Sequence, residues 1–112
     1  MTPVVDPVLL VVTTLPDPAS ARGLAERLVT DRLAACASVL AGCRSIYRWQ
    51  GTLEQADEVP VLLKTVTSRY AALEAAIREH HPYDLPEILA FPAAAGHAAY
   101  LAWVTAETAP LS

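Results

Sequence analysis

Two cysteines and three histidines are the strongest chemical candidates in this chain of 112 residues. Cys36 lies in the apolar stretch Leu33 to Leu40. A thiolate there can hold a soft ion such as Cu(I) or zinc. The same apolar surroundings favour a protonated thiol that packs as a small hydrophobe. Cys43 follows after six residues, a spacing that matches no closed zinc motif. On an unbroken strand the two thiols point to opposite faces, and a bulge at Gly42 returns them to one.

His80 and His81 are adjacent, so on a helix they diverge and do not form a two-histidine zinc pair. His81 opens the segment His81-Pro82-Tyr83-Asp84-Leu85-Pro86-Glu87. An imidazole with carboxylates nearby can make a nitrogen–oxygen site for copper or zinc. The competing reading is a helix C-terminal cap, with the histidine facing the dipole. Cys36, His81 and Glu87 are the candidate metal ligands. His97 is expected in solvent. Lys64 interrupts an apolar run and needs a partner if its strand is covered. Glu87 is one candidate, and an exposed edge position is the alternative. Tyr47 and Trp49 share a face of an alternating segment. They can stack on nucleobases or anchor a protein interface, and packing is preferred.

The elements that must position these groups follow from periodicity. Val8 to Thr14 is a β-branched run that reads as a strand covered on both faces. Asp17 suits a helix N-cap with Pro18 behind it. Ala21, Leu24, Ala25, Leu28 and Val29 then form the apolar stripe of a helix over residues 19–33. Residues 34–40 read as a second strand, bent at Gly42 into the alternating segment 44–50. Gln50-Gly51 suits a two-residue hairpin turn, and Thr52 to Val66 returns as the partner strand. Pro60 cannot donate to a ladder and belongs at an edge or irregularity. Ser68 is the expected cap of a second helix, with Tyr70, Leu73, Ile77 and His80 on its buried stripe, ended by Pro82. A short strand lies between Pro86 and Pro92. A last helix covers about 97–107, held down by Tyr100 and Trp103. The order β-α-β-β-α-β plus a C-terminal helix is the split βαβ arrangement. It predicts an α+β sandwich in one domain, residues 1–112, with helices on one face of an antiparallel sheet.

Composition adds one physical inference. The chain is 54% hydrophobic and 18% charged, against roughly 25% charged in typical domains. A chain this short cannot hide so much apolar surface alone, so an oligomer is expected. A net charge of −4 argues against a nucleic-acid backbone as partner. The segment MTPVVDPVLLVVTT lacks a basic leader region and is too broken to span a bilayer, so no membrane partner is expected. Two cysteines make no disulfide framework, which points to the cytoplasm. No Ser-His-Asp arrangement or glycine-rich phosphate loop stands out, so no enzyme is expected.

The runs DRLAACASVLAGCRSIYRWQGTLE, VLLKT and HHPYDLPEILAFP, followed by YLAW, resemble the CutA family over nearly the whole chain. Asp84 stands where that family usually has glutamate. The resemblance implies a ferredoxin-like βαββαβ sandwich with an extended hairpin between its second and third strands. It also implies a homotrimer built like those of PII-type signalling proteins. It implies divalent-cation tolerance, binding of metal ions such as copper, a response to metal ions, and no organic cofactor or enzymatic activity. Tyr47 and Trp49 are then the expected trimer-interface anchors. Lys64, Tyr83 and Asp84 are expected in an intersubunit cleft. The alternative is a trimeric small-molecule-binding regulatory or scaffold module without a specific metal site.

Overall fold

The computed structural model describes residues 6–111. Five strands and three helices follow in the order β1 (Val8–Leu15), α1 (Pro18–Thr30), β2 (Cys36–Val39), β3 (Cys43–Trp49), β4 (Thr52–Val66), α2 (Tyr70–His80), β5 (Leu89–Pro92) and α3 (Ala98–Glu107). The expectation for the N-terminal segment falls partly on residues 1–5, outside those described. No helix among the described residues is long and apolar enough to cross a membrane.

The sheet is antiparallel and ordered β2-β4-β1-β5, with β3 also paired to β4. Its alternation sorts side chains strictly. Val11, Leu15, Val59, Val61 and Leu63 meet Ala21, Leu24 and Leu28 of α1 and Leu73 and Ile77 of α2 in one buried cluster. Each large side chain there contributes roughly 1.5–3 kcal/mol on burial. The opposite face carries Leu10, Val12, Leu62 and Lys64, all half-buried, and at its edge Leu89 and Phe91, which are exposed. Val104 of α3 packs over one end of it, on Val8 and Val66. β1 is therefore fully covered on one face only, less than its β-branched run suggests.

Local chemistry explains most boundaries. Asp17 accepts the Ser20 amide at 2.7 Å and caps α1, with proline in the first turn. Gln50 and Gly51 take φ of 49° and 81°, the positive angles a tight hairpin turn requires. The β2–β3 junction supplies the expected bulge. Val39 pairs with Val61, whereas Cys43 pairs with Glu58. Three residues on one strand thus face two on the other. Pro60 lies opposite this irregularity, where its carbonyl accepts Leu40 N–H at 2.9 Å and its missing donor interrupts nothing.

Several expectations change. α1 stops at Thr30 because Arg32 adopts a φ of 60° and turns the chain back. Arg32 N–H donates to the Val29 carbonyl at 3.1 Å and Leu33 N–H to that of Leu28 at 3.0 Å. This is a Schellman closure with arginine where glycine is usual. Ser68 does not cap α2. It lies in a 3-10 turn over Thr67–Arg69, and its amide and hydroxyl both donate to the Asp6 carboxylate. His80 is exposed rather than on the buried stripe. Tyr100 and Trp103 do not pin α3. They lean on each other with ring centroids 5.6 Å apart, half in solvent, and Val104 is the buried residue.

What secures the end of α3 is Arg32. Its Nε donates to the Ala109 carbonyl at 2.9 Å and its Nη2 to that of Ala106 at 2.8 Å. A guanidinium there satisfies orphan carbonyls and opposes the helix dipole. Arg32→Ala should cost roughly 1 kcal/mol and lower Tm by about 5 °C. Arg32→Gly, which suits the positive φ, should recover part of that loss. Thermal melts of the three proteins check this; equal losses in both variants would remove the backbone share from the account.

Candidate functional site

A groove of about 830 Å3 runs between the β3–β4 hairpin and the segment that leads from α2 to β5. The hairpin supplies Ser45, Tyr47, Trp49, Ala56 and Glu58, which the register places on one face. Pro82, Tyr83, Asp84, Leu85 and Glu87 form the other wall. That segment leaves α2 abruptly because His81 precedes proline and takes extended backbone angles.

The His81 ring turns into the protein and is buried. Its Nε2 lies 2.8 Å from the Thr14 carbonyl, and its Nδ1 accepts the Tyr83 amide at 3.1 Å. A carbonyl only accepts and an amide only donates, so this pattern fixes the neutral ring with the proton on Nε2. Burial lowers the His81 pKa below its usual 6.5, although the bond to Thr14 and the Glu58 carboxylate act in the other direction. The Tyr83 ring packs 4.9 Å from His81, centroid to centroid. Its hydroxyl donates to Glu58 Oε2 at 3.0 Å. Burial and the Glu58 carboxylate push the Tyr83 pKa up to about 12. The chain Thr14, His81, Tyr83, Glu58 thus ties β1, the groove wall and β4 together.

This geometry corrects the sequence reading of His81. His81 is the C-cap of α2, its amide donating to the Ile77 carbonyl at 2.9 Å, but its ring turns to Thr14 and Tyr83 instead of the helix end, and both ring nitrogens are engaged within the chain. Cys36 lies away from the groove, paired across the sheet with Lys64. Lys64 Nζ approaches Ser38 Oγ at 3.4 Å and Cys36 Sγ at 3.8 Å. No ion pair between Lys64 and Glu87 forms among the described residues. Cys36, His81 and Glu87 are not brought together, and no group of three or more His, Cys, Asp or Glu side chains suited to a metal occurs among the described residues. Within one subunit these residues do not fit a metal centre. Of the expected cleft group, Tyr83 and Asp84 line the groove and Lys64 does not. Cys43 shares the face of Cys36 by register, yet their partners Glu58 and Lys64 are six residues apart on β4, which sets the two thiols about 20 Å apart. Tyr47 and Trp49 do share a face, each a little under half exposed.

Glu58 and Thr14 are the participants sequence reasoning missed. Counting register back from the Gln50-Gly51 turn places Glu58 opposite Cys43, on the face of Tyr47 and Trp49. Thr14 contributes only a backbone carbonyl, for which side-chain type carries no signal.

Fold and groove together define a mixed α+β chain with an antiparallel sheet and a cleft at the root of a long hairpin. Residues 9–107 match the CutA1 divalent ion tolerance protein family. A divalent-cation tolerance protein CutA from Pectobacterium atrosepticum is 45% identical over 98 residues, covering 88% of this chain and 89% of that protein. A divalent cation tolerance protein from Thermus thermophilus superposes with a TM-score of 0.89 at 40% identity, over 91% of this chain and 99% of the other. A periplasmic divalent cation tolerance protein CutA from Archaeoglobus fulgidus gives 0.88 at 27% identity, over 91% and 99%. This chain belongs to the CutA1 divalent ion tolerance protein family.

The buried imidazole has a consequence for pH. With its folded pKa below 6.5, the unfolded chain binds a proton at His81 before the folded chain does. Stability therefore falls as pH drops through the unfolded value and levels off below the folded one. Tm should decline between about pH 7 and pH 5, and His81→Gln should flatten that decline. Calorimetric melts across the range test it, and an unchanged slope in the variant would assign the loss elsewhere.

Proposed function

We propose that the protein works as a homotrimeric divalent-cation tolerance protein of ferredoxin-like subunits, assembled like PII-type trimers. The observation that carries this is the naked hairpin. Among the described residues β3 and the first half of β4 have no third strand, and a lone two-stranded hairpin is marginal in water. Yet Ile46 and Leu53 stand 62% and 69% exposed, with Tyr47 and Trp49 beside them. A second apolar area, Leu89 and Phe91, lies across the sheet at its β5 edge. Neighbouring copies that cover these surfaces satisfy both. The β-α-β-β-α-β element order and the sheet order β2-β4-β1-β5 support the ferredoxin-like subunit.

The relatives named divalent-cation tolerance proteins support a role in the response to divalent cations, and copper is the ion this reading assigns. Since Cys36 and Glu87 stand apart in one subunit, a site for copper or another divalent ion draws its donors from more than one copy. The role is one of binding, without catalysis, and we place it in the cytoplasm. The groove favours a second reading, a trimeric small-molecule-binding regulatory or scaffold module, because a cleft of this size forms without a three-donor metal cluster among the described residues.

Sedimentation should show a trimer for the wild type and smaller species for Trp49→Asp, which puts a charge into the covered face. An intact trimer in that variant would count against the interface. Calorimetric titration of copper should show tight binding that Cys36→Ser or Glu87→Gln weakens at least tenfold. Millimolar binding that neither substitution alters would leave the second reading in place of the metal site.

A further inference from the structure

We infer that His81 is an acid-sensitive latch on assembly: its neutral ring holds the segment from Pro82 to Glu87 in the shape a neighbouring copy meets, and protonation lets that segment go. This rests on the trimer reading of the hairpin and gives that assembly a control. Tyr47 and Trp49 form one wall of the groove, and Pro82, Tyr83 and Glu87 stand in the other. A copy that covers the two hairpin rings therefore fills the groove and seats on the second wall as well. Among the described residues no backbone–backbone hydrogen bond ties residues 82–87. What fastens them is Tyr83, through its amide on His81 Nδ1 at 3.1 Å and its hydroxyl on Glu58 at 3.0 Å. A ring with protons on both nitrogens has no lone pair for an amide. Protonation thus turns the first bond into a clash of two donors and leaves a part-buried amide unpaired, while the bond to Thr14 survives.

The groups around the ring set the direction. From β1 it meets the Thr14 carbonyl. From β4 the Glu58 carboxylate favours the charged ring, yet burial outweighs it. Its own segment supplies Tyr83, a phenol pushed up to about 12 and so neutral throughout, on which Tyr47 of β3 and Asp17 at the head of α1 also act. Asp84 and Glu87 further along are exposed. On α2, Glu79 and His80 are exposed and pair with each other at 3.9 Å. Assembly buries the ring further, so the trimer takes up protons less readily than the separated chain. Acid therefore draws the equilibrium toward separate copies, with one proton bound for each latch released. The change sets in as pH falls below 6.5, the ordinary histidine value, and is complete below the lowered one.

Sedimentation equilibrium of the full chain between about pH 7 and pH 5, with a chelator present so that no ion competes with the proton, tests the latch. The wild type should lose trimer affinity roughly tenfold or more over that interval. His81→Gln should hold its affinity, because an amide side chain donates to Thr14 and accepts from Tyr83 at either pH. Tyr83→Phe frees the Glu58 end of the wall, so its loss should begin at higher pH; this variant decides the matter if His81→Gln does not fold. Equal losses in the wild type and His81→Gln would overturn the inference, as would a Tyr83→Phe profile that stays on the wild-type midpoint. A trimer indifferent to pH also overturns it and leaves the assembly standing. A wild type that is monomeric already at pH 7 removes the trimer reading itself, and the latch on it.

Discussion

β4 has fifteen residues, which at roughly 3.4 Å per residue is about 50 Å of extended chain. The subunit itself measures 54 Å along its longest axis and 26 and 23 Å across. One strand therefore runs nearly the length of the molecule, and no core of this size can cover it. The half from Val59 to Val66 lies between β1 and β2 and alternates buried and half-buried. The half from Thr52 to Glu58 has only β3 for company and is largely exposed. The exposed aromatic hairpin and the groove at its root both follow from that mismatch.

The bulge decides how the two halves are joined. Without the extra residue between Val39 and Cys43, every side chain of β3 would flip to the other face of the sheet. Tyr47 and Trp49 would then point away from the segment 82–87, and the groove would lose its aromatic wall. Pro60 opposite the bulge follows the same logic, since a central strand tolerates proline only where a ladder bond is already missing. Pro60 thus leaves an unclaimed position beside the bend, whereas Gly42 within it keeps an ordinary φ, and a Cβ there would meet only the Glu58 carbonyl, at 3.7 Å.

Legibility in the sequence followed the physics of each feature. The Asp17 cap, the Gln50-Gly51 turn, the bend near Gly42 and the extent of β4 depend on local chemistry or on alternation, and all could be read from residue order. Arg32 could not. Its positive φ is unusual for a branched-free cation, and its reason is a partner 74 to 77 residues away at the end of α3. Ser68 misled for a similar reason: a serine before a helix suggests a cap, but Asp6 takes both its amide and its hydroxyl. Among the site residues, the family-like segment after His81 was visible, yet its chemistry was not. An imidazole in a sequence with carboxylates nearby suggests a ligand, and only the folded backbone shows both nitrogens occupied.

That occupancy bears on what a tolerance protein of this kind can do with a metal. A histidine committed to a carbonyl and an amide must break one of those bonds before it can ligate, and the buried group left behind costs free energy. His81 is better suited to hold Tyr83 against Glu58 than to release either. The donors that remain, a thiol beside an ammonium on the sheet and carboxylates across the groove, differ in softness and face different surroundings. Soft and hard ions would sort between them. Within one chain the two surfaces stay apart, and among the described residues neither brings three donors of His, Cys, Asp or Glu together.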